Sequence, residues 1–381
     1  MAGPLAGIRI LEFEAIGPAP FAGMLLADMG ADVLVVDRPA SSDLGLKRER
    51  WYDVMMRGKR SVTLDLKSPA ATEIAFELIS KTNALIEGYR PGVMERLGLG
   101  PDAALARNPR LVYGRMTGWG QDGPLAPRAG HDINYIALAG VLHAFGRRGE
   151  APVPPLNLVG DFGGGGMLLG FGVACALLEA QRSDKGQVVD AAMVEGASLL
   201  AAMFSGFLAA KDWSEERGVN VLDTGAPWYN VYETKDGKYV SIGSIETRFF
   251  EELIQRLQLA NVPPQHDRSR WPEMKALFEK TFKAKTRDEW VRAFEGSDAC
   301  FAPVLSFSEA RRDPHNVFRR STVEVKGVEQ PAPAPRYSRT PATVLRAPPE
   351  RGEGGAQALL DWGFNETELN SLKSRGLGTK E

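Results

Sequence analysis

Residues 8–36 read IRILEFEAIGPAPFAGMLLADMGADVLVV, a stretch in which two apolar runs flank a segment of helical pattern. Ile8–Leu11 and Val33–Val36 have the character of buried strands, and Gly30 stands where the intervening helix, Pro18–Asp28, should end. Two such strands joined through a helix predict parallel pairing with a right-handed crossover. The chain is therefore predicted to be an α/β protein with a parallel sheet.

A different pattern later in the chain indicates a second domain. Val231–Thr234 and Tyr239–Ile242 alternate in polarity on either side of Lys235-Asp236-Gly237, as the strands of a hairpin do. The chain has 381 residues, whereas single hydrophobic cores rarely grow beyond ~250 to 300 residues. We expect two domains of different style.

Composition and charge disfavour several classes of protein. There are 46 basic and 48 acidic residues, a formal charge of −2, with no long run of either sign, so we expect no nucleic-acid or membrane partner. Cys175 and Cys300 are the only cysteines and form no CxxC pattern, which argues against a disulfide framework or a thiol-ligated metal. We also expect no membrane-spanning segment of roughly 20 apolar residues and no signal peptide, hence a cytoplasmic protein.

The chain has only four histidines, His131, His143, His266 and His315. The candidates for a catalytic histidine are therefore few. His131 precedes an apolar run that is compatible with a helix. At a helix start, free backbone N–H groups such as that of Asp132 can stabilise an oxyanion. A helix-capping or loop histidine remains the alternative interpretation of His131.

A second candidate is Asp161, which precedes the four consecutive glycines Gly163–Gly166. Glycines allow a backbone to pass close to a ligand or to another helix. An acid at the entrance to such a passage can be a proton donor or a nucleophile. The alternative is that Asp161 caps a helix and the glycines serve packing alone. No GKS or GKT follows, which disfavours a phosphate-binding loop.

The βαβ start also invites a dinucleotide-binding interpretation, with Asp37 as the acid that binds a ribose. However, the loop Glu14–Pro20 lacks GxGxxG, and Pro18 and Pro20 remove amide donors that a pyrophosphate would use. This disfavours an NAD-dependent dehydrogenase. Cations available to another phosphorylated ligand are Arg38, Lys59, Arg60, Lys67, Arg90 and Arg96.

Several motifs, taken in order, resemble the family III CoA-transferase superfamily. They are GIRILE at 7–12, GP at 17–18, LADMGA at 26–31, EGYRPG at 87–92, TGWG at 117–120 and KGQVVDAAM at 185–193. Within this superfamily, GHDINY at 130–135 and GDF at 160–162 resemble the α-methylacyl-CoA racemases of bacterial type. The resemblance runs from near the N-terminus to about Arg339, and the segment after about Pro341 lies outside it.

The resemblance implies a large Rossmann-like domain from residues 1–200 and 320–381, and a small α/β domain from residues 225–315. It also implies an interlocked homodimer, with each active site between the large domain of one subunit and the small domain of the other. The implied activity is interconversion of 2-methylacyl-CoA thioesters by proton transfer, with no cofactor or metal. A CoA transferase with Asp161 as nucleophile is the alternative; His131 favours the racemase, because a transferase needs no second base there.

Catalytic and binding positions also follow from the resemblance. His131 and Asp161 fall on the family's acid/base pair and Glu246 on the carboxylate that orients the histidine, while the Asp132 amide is our candidate oxyanion donor. Asp161 must hold a proton in one resting state, which requires a pKa raised by burial or by a nearby negative charge. The expected CoA contacts are Arg38, Leu64, Asp65, Leu66, Lys67, Gly88, Tyr89, Arg90, Arg96, Gly130, His131, Asp132, Ile133, Asn134 and Tyr135.

Overall fold

The computed structural model describes residues 3–40, 45–46 and 48–380. The chain divides into two compact units. The first comprises Met1–Ala139, Leu156–Leu200 and Arg320–Glu381, and the second comprises Gly140–Pro155 and Ala201–Arg319. Each unit contains its own sheet and its own hydrophobic core.

The sheet of the first unit has six parallel strands in the order β3-β2-β1-β4-β5-β6. The strands are β1 (Arg9–Phe13), β2 (Asp32–Asp37), β3 (Arg60–Thr63), β4 (Ala84–Glu87), β5 (Val112–Thr117) and β6 (Gln187–Ala192). This is the doubly wound, Rossmann-like order, in which the direction of winding changes between β1 and β4. The predicted α/β class with a parallel sheet is confirmed.

Helices connect these strands and also occur in the second unit. The α-helices in the described residues are α1 (Pro18–Asp28), α2 (Ala71–Ile79), α3 (Val93–Arg96), α4 (Pro101–Arg107), α5 (Asp132–Leu138), α6 (Val141–Ala144), α7 (Leu168–Ser183), α8 (Met193–Leu200), α9 (Ala202–Ala209), α10 (Thr247–Leu257), α11 (Trp271–Phe282), α12 (Arg287–Ala293), α13 (Phe307–Ala310), α14 (Pro314–Phe318), α15 (Gly355–Asp361) and α16 (Glu366–Ser374). Helix α1 has the predicted bounds, and Gly30 follows it with a φ of 96°, in the left-handed region that favours glycine.

Both faces of the parallel sheet are covered by apolar side chains. Leu11 and Leu34 pack in a core with residues of α2, α15 and α16, whereas Ile10 and Val33 pack on the other face with residues of α1 and α7. Successive residues of a strand point to opposite faces, so a strand buried on both sides is apolar throughout. This explains why Val33–Val36 is continuously apolar and why Arg9, at the start of β1, is the one polar residue of Ile8–Leu11.

The C-terminal segment covers the edge of this sheet at β3. The Ser61 N–H donates to the Glu353 carbonyl at 3.0 Å, and Thr63 and Gly378 exchange two backbone hydrogen bonds of 2.8 Å each. Trp362, 1% exposed, packs in the same core as the strands. Paired edge strands are protected from association with other chains. The motifs that carry the resemblance end before this segment, whose structural role is to complete the first unit.

The second unit contains an antiparallel sheet in the order β7-β8-β9. Its strands are β7 (Tyr229–Glu233), β8 (Tyr239–Gly243) and β9 (Phe301–Val304), so the predicted hairpin is confirmed. Its core is rich in aromatic side chains, including Trp228, Tyr232, Phe278 and Trp290. A separate hairpin, β10 (Thr322–Val325) with β11 (Val328–Pro331), belongs to the first unit.

One helical stretch, Leu158–Ser183, is long and apolar enough to cross a membrane by length and composition. The expectation that no segment reaches this length was wrong, because the glycine-containing segment Leu158–Met167 forms a π-helix that continues into α7. The most apolar window of this stretch is 44% buried within the chain. Core helices pass the same test of length and composition.

Candidate active site

Three loops of the first unit bring predicted CoA contacts to one edge of the parallel sheet. Arg38 follows β2, Leu64–Lys67 follow β3 and Gly88–Arg90 follow β4. The carboxyl ends of parallel strands lie at the same edge, and doubly wound folds bind ligands there, where the strand order reverses. Arg96 ends α3, one short turn after the β4 loop, and is exposed.

The Arg38 loop is anchored by Glu14 and Arg351. The Arg38 N–H donates to Glu14 Oε2 at 2.8 Å, and Arg351 donates to Glu14 Oε1 at 2.6 Å and to the Arg38 carbonyl at 2.7 Å. Partial burial opposes ionisation of Glu14, but the hydrogen bonds from Arg351 and Arg38 outweigh it and lower the pKa of Glu14. Glu14 therefore stays ionised and holds the loop in place.

Not every predicted contact offers its side chain to a ligand. Leu64 is buried in the core and its N–H donates to the Asp37 carbonyl, so its side chain is a packing group. Asp65, Lys67 and Arg90 are exposed, and the two cations are available to an anionic ligand.

Asp37 is not available to a ribose. Its side chain is fully buried, and Oδ2 accepts hydrogen bonds of 2.5 Å from both Arg50 Nη2 and Ser61 Oγ. A dinucleotide-binding acid must present its carboxylate to the ligand. The dehydrogenase alternative thus loses its ribose-binding residue.

His131 is exposed and occupies the N-cap position of α5. Its N–H donates to Asn134 Oδ1 at 3.1 Å, and its carbonyl accepts from the Asn134 N–H at 2.8 Å. The amides of Asp132 and Ile133 follow, and neither has a hydrogen-bond acceptor among the residues that the structure describes. Unpaired N–H groups at a helix start are suited to a developing negative charge.

Asp161 lies near the start of the π-helix Leu158–Met167, beside the α5 terminus. Its N–H donates to Asp132 Oδ1 at 2.6 Å, and its Oδ2 accepts from Asn157 Nδ2 at 3.0 Å. A Cβ placed on Gly17 would lie 3.2 Å from Asp161 Oδ2, so the loop after β1 also borders this carboxyl. The structure thereby brings Asp161 to the edge of the sheet at which the winding reverses.

The electrostatic environment favours the protonated form of Asp161. Burial raises the pKa of this carboxyl and Asp132 raises it further, whereas the Asn157 hydrogen bond and the nearby His131 lower it; the net direction is upward. His131 directly precedes Asp132, whose carboxylate accepts the Asp161 N–H, so His131 and Asp161 belong to one site. A raised pKa is what a proton donor at this position requires.

Tyr135 packs behind the two residues. Its ring meets Trp119 edge-on, with centroids 4.7 Å apart. A Cβ on Gly130 would lie 2.7 Å from its Cε1, and one on Gly118 would overlap its ring. Burial, followed by the charge of Asp161, raises the pKa of Tyr135 to about 12. The glycines of the TGWG and GHDINY motifs therefore make room for a neutral tyrosine.

The glycine run serves close helix packing. A Cβ on Gly164 would lie 2.5 Å from the Ala197 N of α8, and a Cβ on Gly196 would overlap the Gly164 carbonyl. A Cβ on Gly166 would lie 2.7 Å from the Pro18 carbonyl of α1. The packing interpretation of the glycines is thus confirmed, and the same packing positions Asp161. π-Helical turns occur frequently at functional sites.

Glu246 belongs to the second unit, where it is exposed and precedes α10. Its carbonyl accepts from the N–H groups of Phe249 and Phe250. Gln265 Nε2 donates to the two preceding carbonyls, those of Ser244 and Ile245, at 3.0 and 2.9 Å. His131 and Asp161 come together within the first unit, whereas the action of Glu246 on His131 stays a prediction.

Three contributors were missed by sequence reasoning. Asn157 could have been predicted from the sequence, because it stands one helical turn before Asp161. The Asp132 side chain was also within reach of inference, since it directly follows His131. Arg351 could not have been predicted, because 313 residues separate it from Arg38, whose carbonyl it binds.

Comparison with known proteins agrees with the motifs. The sequence model of CoA-transferase family III matches residues 5–354. The chain is 43% identical to α-methylacyl-CoA racemase of Mus musculus over 374 residues and 44% identical to that of Homo sapiens over 377, covering 97% of this chain and 96% of each relative. The crystal structure of a CAIB/BAIF family protein from Brucella suis shares the fold, with a TM-score of 0.82 at 24% identity over 95% of this chain and 100% of that one. The chain belongs to CoA-transferase family III.

Proposed function

We propose that this protein is an α-methylacyl-CoA racemase that interconverts (2R)- and (2S)-2-methylacyl-CoA thioesters. The observation that carries the proposal is the pairing, in one site, of His131 with an Asp161 whose pKa is raised. One group can then accept a proton at neutral pH while the other donates one. The similarity to two racemases along nearly the whole chain supports the same activity.

The proposed reaction moves one proton off the α-carbon and another on. Neutral His131 removes the α-proton of one enantiomer, and protonated Asp161 delivers a proton to the opposite face. For the other enantiomer the roles exchange. The negative charge that develops on the thioester oxygen is stabilised by the Asp132 N–H at the start of α5. Because each base receives or gives one proton, the proposed cycle needs no cofactor or metal.

Binding of the CoA portion is proposed for the loops that follow β2, β3 and β4. Exposed Lys67, Arg90 and Arg96 supply positive charge for the phosphate groups, while the anchored Arg38 loop supplies a fixed wall. The site is open to solvent on the side of His131, which an acyl chain needs for entry.

We further propose an interlocked homodimer in which Glu246 of the partner subunit orients His131. Large apolar side chains on α7 and α8 support an association surface, since Phe171, Leu178 and Leu199 are all more than half exposed. A bilayer is the alternative cover for this surface. Sedimentation of the pure protein without detergent tests both: a dimer supports the proposal, and aggregates dispersed only by detergent would support the bilayer.

A CoA transferase is the second candidate function, because the family is named for that activity and Asp161 can in principle attack a thioester. The raised pKa of Asp161 weakens it as a carboxylate nucleophile, and the pairing with His131 has no use in that reaction. Hydroxylamine would trap an acyl-aspartyl or CoA-aspartyl adduct. A trapped adduct at Asp161 would favour the transferase.

The decisive experiment follows deuterium uptake from D₂O into single-enantiomer 2-methylacyl-CoA, with chiral analysis of the product. Exchange with loss of chirality supports the racemase, and transfer of CoA to an added carboxylate without exchange would replace it by the transferase. His131→Ala and Asp161→Ala should each slow racemisation by about 10²- to 10⁴-fold. Each variant should still exchange, with retention, the enantiomer whose α-proton faces the remaining base. Replacing the exposed His315 with Ala is the control.

Cytoplasmic localisation is also proposed. Cys175 and Cys300 are both free thiols, as is usual in a reducing compartment. Fractionation of the native cells with detection of the protein by antibody tests this: recovery in a membrane or secreted fraction would contradict it.

A further inference from the structure

The side chain of Asp132 connects the two residues of the proposed acid/base pair. Asp132 directly follows His131, is 5% exposed, and accepts the Asp161 N–H on Oδ1 at 2.6 Å. Its other oxygen, Oδ2, is buried and has no hydrogen-bond partner among the residues that the structure describes. A buried carboxylate oxygen without a partner is unfavourable for folding. Such a group calls for a functional explanation.

The backbone around Asp132 is built to receive this carboxylate. A Cβ on Gly160 would lie 2.5 Å from Asp132 Oδ1, so only a glycine before Asp161 permits the hydrogen bond. Asp132 is also the first residue of α5, where the helix dipole favours a negative side chain. Both partners of the contact are thus fixed by the local backbone.

We propose that Asp132 is a positioning residue: its carboxylate fixes the Asp161 backbone against the helix that begins at His131 and sets a second carboxylate beside the Asp161 side chain. This inference rests on the proposed racemase function. It assigns to the Asp132 side chain a role separate from that of its backbone N–H.

The groups that face Asp161 support an electrostatic role for Asp132. From the α5 segment these are Asp132, His131 and Tyr135, and from the preceding loop Asn157. Asp132 is the carboxylate that raises the pKa of Asp161, in opposition to His131, and Tyr135 is neutral over the working range of pH because its pKa is about 12.

The charged side chains of the other helices that pack against the π-helix interact with groups other than Asp161. Helix α8 carries Glu195, which is exposed and acts on Asp190. Helix α1 carries Asp28, which forms a buried ion pair with Arg57. Both helices approach the glycine run through apolar side chains and backbone atoms.

The test compares Asp132→Asn, which keeps an acceptor oxygen but removes the charge, with Asp132→Leu, which removes both. The readouts are the pH profile of kcat/KM for α-proton exchange and the ¹³C NMR titration of the Asp161 carboxyl, assigned with Asp161→Asn. In Asp132→Asn, the Asp161 titration and the acidic limb measured with the enantiomer whose α-proton Asp161 removes should both move to lower pH by roughly one unit, as expected when a neighbouring carboxylate charge is lost. Asp132→Leu should lower kcat/KM by about 100-fold at every pH, because the carboxyl is no longer held in place.

The outcomes separate this inference from the proposed function. Asp184→Asn, at an exposed aspartate of the same unit, is the matched control and should leave both readouts unchanged. An Asp132→Asn titration that coincides with the wild type would overturn the charge role, and wild-type kinetics in Asp132→Leu would overturn the positioning role. Absence of exchange in the wild type would refute the racemase, whereas the NMR titration would still test the charge role of Asp132. If Asp132→Leu does not fold, the Asp132→Asn titration decides.

Discussion

Lys59 and Glu12 form a buried ion pair inside the first unit. Replacing Lys59 with Met should leave the Glu12 carboxylate buried without a partner. Lys59 Nζ lies 2.8 and 2.7 Å from the two carboxylate oxygens of Glu12 and 2.9 Å from the Pro20 carbonyl. The two side chains are 0% and 1% exposed. Met has nearly the length of Lys but no charge, so the substitution removes one partner and largely keeps the packing.

Loss of one member of a buried pair destabilises a protein by about 3 to 5 kcal/mol. We expect about 4 kcal/mol for Lys59→Met, because the carboxylate has no access to water and the Pro20 carbonyl also loses its donor. Burial raises the pKa of Glu12 above its ordinary 4.5, and removal of Lys59 raises it further. Stability from such a group is present below the unfolded pKa and lost as pH rises through the folded one. The deficit should therefore be smaller near pH 5 than near pH 8.

Urea unfolding followed by circular dichroism measures the effect. The double variant Glu12→Leu/Lys59→Met should lie within about 1 kcal/mol of the wild type or above it, because no buried charge remains. Arg110→Met is the control: it breaks an ion pair with Asp184 whose side chains are 62% and 74% exposed, and it should change stability by less than about 1 kcal/mol. The reasoning fails if Lys59→Met is no worse than Arg110→Met, or if the double variant is as unstable as Lys59→Met.

Three further predictions concern packing and titration near the site. Gly196→Ala puts a Cβ into the Gly164 carbonyl and should lower stability by about 1 to 3 kcal/mol, with a reduced racemisation rate; an unchanged Tm would contradict this. Asn157→Ala removes a hydrogen bond that lowers the pKa of Asp161, so the acidic limb of kcat/KM for the enantiomer whose α-proton Asp161 removes should move to higher pH, opposite to Asp132→Asn, in the same exchange assay. Burial raises the pKa of Glu87 from 4.5 to about 7, so the wild type should lose about 3 kcal/mol of stability as pH rises through this window. Glu87→Gln should abolish that loss in urea titrations across the same pH range.

Local patterns predicted the parts of the fold that depend on short windows of sequence. The βαβ start and the hairpin followed from periodicity and turn residues alone. The π-helix did not, because four glycines in a row have no helical preference of their own. They are helical here because α1 and α8 approach so closely that a side chain would not fit, a tertiary condition that no local pattern contains.

The candidate site likewise contains residues that the sequence could predict and residues that it could not. His131 and Asp161 could be nominated because their motifs are short and the chain has few histidines. The bond from Asp161 to the Asp132 carboxylate spans 29 residues and that from Arg351 to Glu14 spans 337, so both depend on the completed fold. The action of Glu246 on His131 depends on the proposed dimer and stays a prediction.

The C-terminal segment that pairs with β3 also constrains the order in which the chain folds during synthesis. Gly352 donates to Ser61 Oγ across 291 residues of chain. At about 5 to 20 residues per second, the ribosome makes that interval in roughly 15 to 60 s. Throughout it, β3 of the nascent sheet is an open edge, able to pair with other chains. The first unit to emerge is therefore the last to be finished, and the second unit can fold while the first still waits for its final strand partner.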